Sequence, residues 1–118
     1  MMNVARIAVN YPLKNSGLLY FYEGELLRGQ VVEVPLGKRK SLGCVISTDE
    51  SQSKDFKDTP QEKIKSIIQI IPDSRLEESE LQLFEWMASY YHYSLGQVIF
   101  DCLPNFLKRP RALDKTIG

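Results

Sequence analysis

The sequence is poor in the residues from which most catalytic and metal sites are built. Its single histidine is His92, and its two cysteines, Cys44 and Cys102, lie far apart and outside any CxxC pair. Neither GxSxG nor GxxxxGK followed by Ser or Thr occurs. These shortages argue against a hydrolase, a metal site and a P-loop nucleotide site, so we expect no catalysis within this chain. We expect both cysteines to be small buried apolar residues.

The sequence also lacks a surplus of either charge and any long apolar run. Fifteen Lys and Arg stand against fifteen Asp and Glu, so no overall positive field attracts phosphate and any DNA contact has to be local. No apolar run approaches the roughly 20 residues that cross a bilayer, and the N-terminus has no signal-peptide pattern. We therefore expect a cytoplasmic protein without membrane contact. A length of 118 residues with 43% hydrophobic content fits one domain with its own core.

Short apolar segments bounded by turn residues dominate the first half of the chain and predict strands. The predicted strands are Val4–Tyr11 (with Ala5, Ile7, Val9 and Tyr11 facing inward), Leu18–Tyr22, Gln30–Val34 ended by Pro35, Gly43–Thr48 and a doubly covered Ile64–Ile71. Leu36–Ser41 holds a glycine and three consecutive cations, which predicts a hairpin with a basic tip. The polar stretch Asp49–Gln61, with only Phe56 to anchor it, predicts a mobile surface loop.

The period changes to a helical one after Pro72-Asp73-Ser74. Leu81, Phe84, Ala88 and Tyr91 recur at helical spacing and predict a helix over Glu77–Tyr91 that packs Phe84, Trp86 and Tyr91 against the sheet. Glu77, Glu78 and Glu80 suit its first turn better than an acid/base pair, and His92 suits a structural role at its end. Ser94 predicts the cap of a second helix that runs to Leu103 and ends at Pro104.

These elements predict an α+β fold, in which a small curled antiparallel β-sheet or partial barrel is closed by two C-terminal helices. We expect one domain over residues 1–105 and a basic linker over 106–118. The cationic turn at Gly37-Lys38-Arg39-Lys40 could bind phosphate, although such tips also keep sheet edges soluble. The tyrosines at 20, 22, 90, 91 and 93 could stack bases or fill the core. The residues alone leave open a nucleic-acid-binding domain and a β-barrel protein-interaction module.

Motifs in a fixed order over residues 4–107 narrow this choice. The motifs are VARIAV at Val4–Val9, VPLGK at Val34–Lys38, LGCVI at Leu42–Ile46, IKSII at Ile64–Ile68, WMASYY at Trp86–Tyr91, SLGQV at Ser94–Val98 and Leu103-Pro104. In this order and separation they resemble the N-terminal 3′ DNA-binding domain of primosomal protein N′, the bacterial replication-restart helicase PriA. The resemblance implies a pocket that captures the 3′-hydroxyl end of the nascent leading strand at stalled forks, without base specificity.

The resemblance also implies the residues of the pocket. Gly37 would lie against the terminal sugar, Lys65 would be the pocket lysine, and Lys38 and Lys40 would add phosphate contacts. The family often has an aromatic residue and an aspartate where this sequence has Gly17 and Leu18. Leu18 cannot accept a hydrogen bond from a base, so either Ser16 or Asn15 substitutes for it or the terminal base is held less tightly.

Full-length members of that family carry further domains, which the resemblance implies lie outside this chain. They are a winged helix, ATP-driven 3′–5′ helicase lobes and a zinc-binding insertion, so ATP, Mg and Zn are implied for the full-length protein and no cofactor for this chain. The implied partners are forked DNA with a free 3′ end, the helicase domains of the same protein, single-strand-binding protein and other primosome proteins. Residues Phe106–Gly118, with Lys108, Arg109, Arg111 and Lys115, would begin the connection to the next domain.

Overall fold

The computed structural model describes residues 2–11 and 17–102, which form a curled β-sheet followed by two helices. The strands are β1 (Met2–Val9), β2 (Leu18–Glu23), β3 (Gln30–Leu36), β4 (Arg39–Ser47), β5 (Lys65–Ser66) and β6 (Gln69–Arg75). The helices are α1 (Lys54–Asp58), α2 (Glu78–Tyr91) and α3 (described over residues 95–102), and a 3-10 turn covers Gln61–Lys63. The predictions for Ser16, for Leu103-Pro104 and for the linker 106–118 lie outside the described residues.

Two hairpins make up the centre of the sheet. β1 pairs with β2, β3 pairs with β4, and β4 lies beside β1, which gives the order β5-β2-β1-β4-β3-β6 within the described residues. The pairing of β2 with β5 is parallel, and the other described pairings are antiparallel. The predicted α+β fold with a curled sheet is confirmed, and the parallel pair makes the sheet mixed.

The segment between β5 and β6 links the two ends of this strand order. β5 pairs with β2, and β6 pairs with β3. Between them the Ile67 amide donates to the Phe21 carbonyl at 2.9 Å, and the Ile68 amide donates to the Glu33 carbonyl at 2.8 Å. The prediction of one strand over Ile64–Ile71 is therefore wrong, because the chain changes partner strand at Ile67–Ile68. Ile68 is also 44% exposed, so this segment is not covered on both sides.

Both faces of the sheet are buried. The inner face of the curl holds the cluster Ala5, Ile7, Val9, Tyr20, Leu26, Val32, Val34, Val45 and Ile67. The other face packs on α2 and α3 through Ala8, Val31, Cys44, Ile46, Leu81, Phe84, Ala88, Leu95, Val98 and Ile99. Cys44 is fully buried as predicted, whereas Cys102 is only partly buried. Tyr11 was predicted to face inward but is 46% exposed, because β1 ends at Val9 and the alternation ends with it.

β3 extends through the proline that was predicted to end it. Pro35 pairs with Lys40, and the strand continues to Leu36. β6 pairs with β3 only between Gln30 and Glu33, so Pro35 lies past that ladder, where a missing N–H costs little. The predicted hairpin with a basic tip is confirmed, with the turn at Gly37-Lys38.

Residues 49–61 contain a helix rather than the mobile loop that their polar composition predicted. The Ser53 hydroxyl accepts a hydrogen bond from the Phe56 amide and begins α1. The Phe56 ring contacts the Phe21 ring of β2 edge-on at 6.1 Å between centroids, so Phe56 does anchor the segment. The prediction missed α1 because a helix of five residues has too few positions to show an apolar period.

α2 begins and ends close to the predicted residues. Glu77 and Glu80 form a capping box at its start, and His92 closes it in the left-handed conformation, with φ 59°. The predicted inward orientation of Trp86 and Tyr91 is wrong, since they are 58% and 55% exposed. Trp86 lies two residues, or about 200°, around the helix from the buried Phe84 and so points away from the sheet.

α3 packs closely against the first strand. The Ser94 hydroxyl accepts a hydrogen bond from the Gln97 amide at 3.3 Å, which bears out its predicted capping role. A Cβ added at Gly96 would lie 1.7 Å from the Val9 carbonyl oxygen, so only glycine allows the helix to approach β1 this closely. The glycine of the SLGQV motif therefore has a packing role.

Candidate nucleic-acid interface

A cavity of about 340 Å³ opens beside β2 and the β3–β4 hairpin. Residues 17–20 of β2 and the segment before it form one part of its wall, and Pro35, Leu36 and Gly37 of the hairpin form another. The remaining wall comes from Arg6 of β1 and from the α1–β5 segment, through Asp55, Asp58, Thr59, Lys63, Ile64 and Lys65. Its volume lies at the small end of the range of ligand pockets, which suits one small group rather than a duplex.

Four of the residues predicted for the DNA site line this cavity, namely Gly17, Leu18, Gly37 and Lys65. They come from parts of the chain that are up to 48 residues apart in sequence, since 65 minus 17 is 48. The predicted Lys38 and Lys40 do not line the cavity and are exposed on the neighbouring hairpin. Ser16 lies outside the described residues.

Gly37 presents bare backbone to the cavity. Its φ is 62°, in the left-handed region that glycine adopts without strain, and an added Cβ would meet no described heavy atom within 4 Å. The space at this position is therefore open among the described residues. A backbone turn of this kind can place N–H groups against an oxygen atom of a ligand.

The backbone of Gly17 packs closely against β1. A Cβ added there would lie 2.6 Å from the Ile7 carbonyl oxygen, so this backbone position excludes every side chain. The absence of an aromatic residue at position 17 is thus required by packing on β1. Leu18 then contributes an apolar wall at the position where the resemblance implies a carboxylate.

Tyr20 connects the β2 part of the cavity wall to the β3–β4 hairpin part. Its hydroxyl donates to the Pro35 carbonyl oxygen at 2.7 Å, and its ring belongs to the inner core. Burial raises the pKa of Tyr20 to about 12, so the phenol stays protonated as a hydrogen-bond donor. The bond links β2 to β3 at a point where both strands line the cavity.

Arg6 of β1 forms one ion pair with α1 and one with the segment before it. Its guanidinium lies 2.8 Å from a Glu50 carboxylate oxygen and 2.6 Å from one of Asp55. Desolvation lowers the pKa of Arg6, but hydrogen bonds and charge attraction from the two carboxylates outweigh it and leave the pKa raised. Desolvation raises the pKa of Glu50, and hydrogen bonds from Ser47 and Arg6 reverse that effect and lower the pKa.

Sequence analysis missed most of the polar side chains of this wall. Arg6, Asp55, Asp58, Thr59 and Lys63 were not predicted as site residues, and all five line the cavity. The available signal was Ser53 followed by Asp55, a helix cap with an acid in the first turn. That signal indicates a helix but not what the helix faces.

α2 and the residues that follow it carry a second exposed surface, the aromatic face, which we define as Leu83, Trp86, Tyr90, Tyr91 and Tyr93. Each of these side chains is at least half exposed. Trp86 stacks on Tyr90 at 5.1 Å between ring centroids, and Tyr91 stacks on Tyr93 at 6.3 Å. Another side of α2 is tied to the β2–β3 connection by Arg28, which pairs with Glu78 and Glu85 at 2.9 Å each.

The described residues, 2–11 and 17–102, also bear on a metal site and on a membrane span. No group of three or more His, Cys, Asp or Glu side chains there is arranged to hold a metal ion. None of the helices in this part of the chain is both long and apolar enough to traverse a lipid bilayer.

Comparison with known proteins identifies the class of this domain. Residues 6–104 match the 3′ DNA-binding domain (3′BD) of PriA. The chain therefore belongs to the PriA 3′ DNA-binding domain family. It is 34% identical over 93 residues to the replication restart protein PriA of Treponema pallidum (strain Nichols) and 30% identical over 106 residues to that of Haemophilus influenzae (strain ATCC 51907 / DSM 11121 / KW20 / Rd). These alignments cover 78% and 87% of this chain and 14% of each relative.

Proposed function

We propose that this domain binds the 3′-hydroxyl end of a DNA strand, with the terminal nucleotide in the cavity beside Gly37. The observation that carries the proposal is the meeting of the left-handed Gly37 turn, the apolar Leu18 and Lys65 around one cavity. A terminal nucleotide offers a hydroxyl, an apolar sugar and base face, and a phosphodiester on its 5′ side. The three wall elements match these three groups.

The charges of the wall support binding of one phosphodiester rather than a long strand. Lys63 and Lys65 line the cavity and form no ion pair with any described residue. Arg6 is occupied by Glu50 and Asp55, so it is not available to phosphate. We therefore expect a shallow dependence of affinity on salt, equivalent to a few phosphates at most, with Lys38 and Lys40 contributing from the hairpin.

In this proposal the domain captures the nascent leading strand at stalled forks without base specificity. Gly37 and Leu18 offer no side-chain group that can read a base edge, and base-tolerant binding suits a fork that stalls at any sequence. We also propose that the domain acts within a larger protein that has ATP-dependent helicase domains with Mg and Zn, and that single-strand-binding protein and other primosome proteins join it there. Tethering to such domains would supply the affinity that one pocket lacks.

The test is a binding titration with one oligonucleotide that ends in a free 3′-hydroxyl or in a 3′-phosphate. Tighter binding of the hydroxyl end supports the proposal, and equal binding contradicts it. Lys65→Gln should weaken binding of both oligonucleotides, because the internucleotide phosphate is present in each. A matched control is Lys57→Gln, which removes one exposed cation of α1 that does not line the cavity.

The aromatic face supports a second candidate function, the docking of a protein. Exposed aromatic residues in a cluster are typical of protein interfaces. Residues 76–102 hold five carboxylates and no Lys or Arg, so this part of the surface repels phosphate. Trp86→Ala should leave oligonucleotide binding unchanged if this face serves a protein, and a loss of DNA affinity would exclude that role.

A further inference from the structure

The cavity wall contains a carboxylate that has no partner among the described residues, 2–11 and 17–102. Asp58, the last residue of α1, is exposed at the cavity and makes no hydrogen bond or ion pair with any described residue. The other carboxylate of the wall, Asp55, is paired with Arg6 at 2.6 Å. Asp58 therefore brings a negative charge, held in no ion pair with a described residue, to the place where the proposed function puts the end of a DNA strand.

We infer that Asp58 sets the selectivity of this cavity for a 3′-hydroxyl over a 3′-phosphate. The inference rests on the proposed function. A terminal phosphate carries about −1.5 to −2 charges at neutral pH, so a carboxylate nearby repels it. A 3′-hydroxyl is neutral and can donate a hydrogen bond to the same carboxylate. One side chain thus favours the free end and disfavours the blocked end.

The lysines of the wall do not cancel this discrimination. Lys63 and Lys65 line the same cavity and attract phosphate. The internucleotide phosphate on the 5′ side of the last nucleotide is present whether the 3′ end is free or blocked. Its attraction to a lysine therefore raises both affinities and contributes little to their ratio, which depends on the charge facing the terminal group.

Asp58 is also well placed to act, because α1 is attached to the sheet at several points. Arg6 pairs with Asp55 within α1 and with Glu50 before it, and Phe56 packs edge-on against Phe21. The Thr59 hydroxyl donates to the Asp55 carbonyl oxygen at 2.7 Å and closes the helix next to Asp58. These contacts fix the backbone of the carboxylate relative to the cavity.

The test compares the binding of 3′-hydroxyl and 3′-phosphate oligonucleotides of one sequence to the 118-residue chain and to Asp58→Asn. The amide keeps the shape and the acceptor oxygen but removes the charge. We expect binding of the 3′-phosphate strand to strengthen roughly three- to tenfold at low salt, and binding of the 3′-hydroxyl strand to change by less than about twofold. Asp101→Asn removes the same charge from an exposed position of α3 outside the cavity, and it should leave the ratio of the two affinities unchanged.

The outcomes separate the inference from the proposed function. If the unmutated chain binds both ends equally, the proposed function is wrong. If it prefers the hydroxyl end and Asp58→Asn keeps that preference in full, the inference about Asp58 is wrong and the proposed function stands. If the Asp58→Asn variant does not fold, the salt dependence of the unmutated chain still tests the inference.

Repulsion between charges predicts that the preference for the 3′-hydroxyl strand over the 3′-phosphate strand shrinks between about 0.05 and 0.5 M salt. A preference that does not change with salt would point to a steric cause and overturn the inference.

Discussion

Replacement of Gly37 tests the cavity and the hairpin turn separately. The backbone at this position has φ 62°, which costs a residue with a side chain about 1–2 kcal/mol, and asparagine less. An added Cβ meets no described atom within 4 Å, so no cost of overpacking is added. Gly37→Leu should therefore fold, with a free energy of unfolding lower by about 1–2 kcal/mol. This is a modest part of the roughly 5–15 kcal/mol that stabilises a typical domain.

The effect of Gly37→Leu on binding should be much larger than its effect on stability. The leucine side chain has space in the region where we place the terminal nucleotide, so it should abolish the preference for a free 3′ end. Gly37→Asn controls for the backbone, because asparagine tolerates a positive φ and projects less far. Urea denaturation gives the stability, and titrations with 3′-hydroxyl and 3′-phosphate oligonucleotides give the preference. A stable Gly37→Leu protein that still prefers the free end would refute the placement of the nucleotide beside Gly37.

Three further predictions follow from burial and charge. Trp86 should fluoresce as a solvent-exposed indole, and Trp86→Ala should cost about 1 kcal/mol, the size of one aromatic stacking contact, as measured by urea denaturation. Phe84→Ala should cost about 3–5 kcal/mol in the same assay, and equal costs would contradict the orientation of α2. The pKa of Glu50 is lower in the folded state, so its contribution to stability is present above the pKa of an unfolded glutamate and is lost as pH falls through the folded pKa. Arg6→Gln should therefore reduce the loss of stability on acidification. The measurement is the melting temperature as a function of pH, and an unchanged profile would contradict this prediction.

The sequence predicts the elements of this fold better than their contacts. Alternation identified β1 and β4, and apolar runs bounded by turn residues identified β2 and β3, because each of these strands contributes to the buried clusters. Helical spacing identified α2 because Leu81, Phe84 and Ala88 pack on the sheet. The orientation of Trp86 could not be predicted, because α2 carries a second apolar stripe and periodicity does not say which stripe meets the sheet. The partner change at Ile67–Ile68 depends on two strands that are distant in sequence, so no local pattern reveals it.

The residues of the candidate site were likewise predicted only in part. Gly37 and Lys65 were predicted because motifs identify them, and the structure places both on one cavity. Asp58 and Lys63 were missed, because they lie in a polar stretch whose composition is that of a surface loop. Their position depends on the Arg6 ion pairs, and a pairing between residues 6 and 55 leaves no trace in a single sequence.

The linkage at Ile67 and Ile68 also bears on how the domain behaves at high concentration. In an open curled sheet, the outward-facing amides and carbonyls of the outermost strands can pair with another molecule and start aggregation. Here one stretch of chain occupies hydrogen-bonding positions on both β2 and β3, the strands to which β5 and β6 attach. Substitution by proline at residue 67 or 68 would remove one of these amides and free part of a strand for intermolecular pairing. Self-association would therefore begin at the Ile67–Ile68 segment, next to β5, rather than at the helical layer.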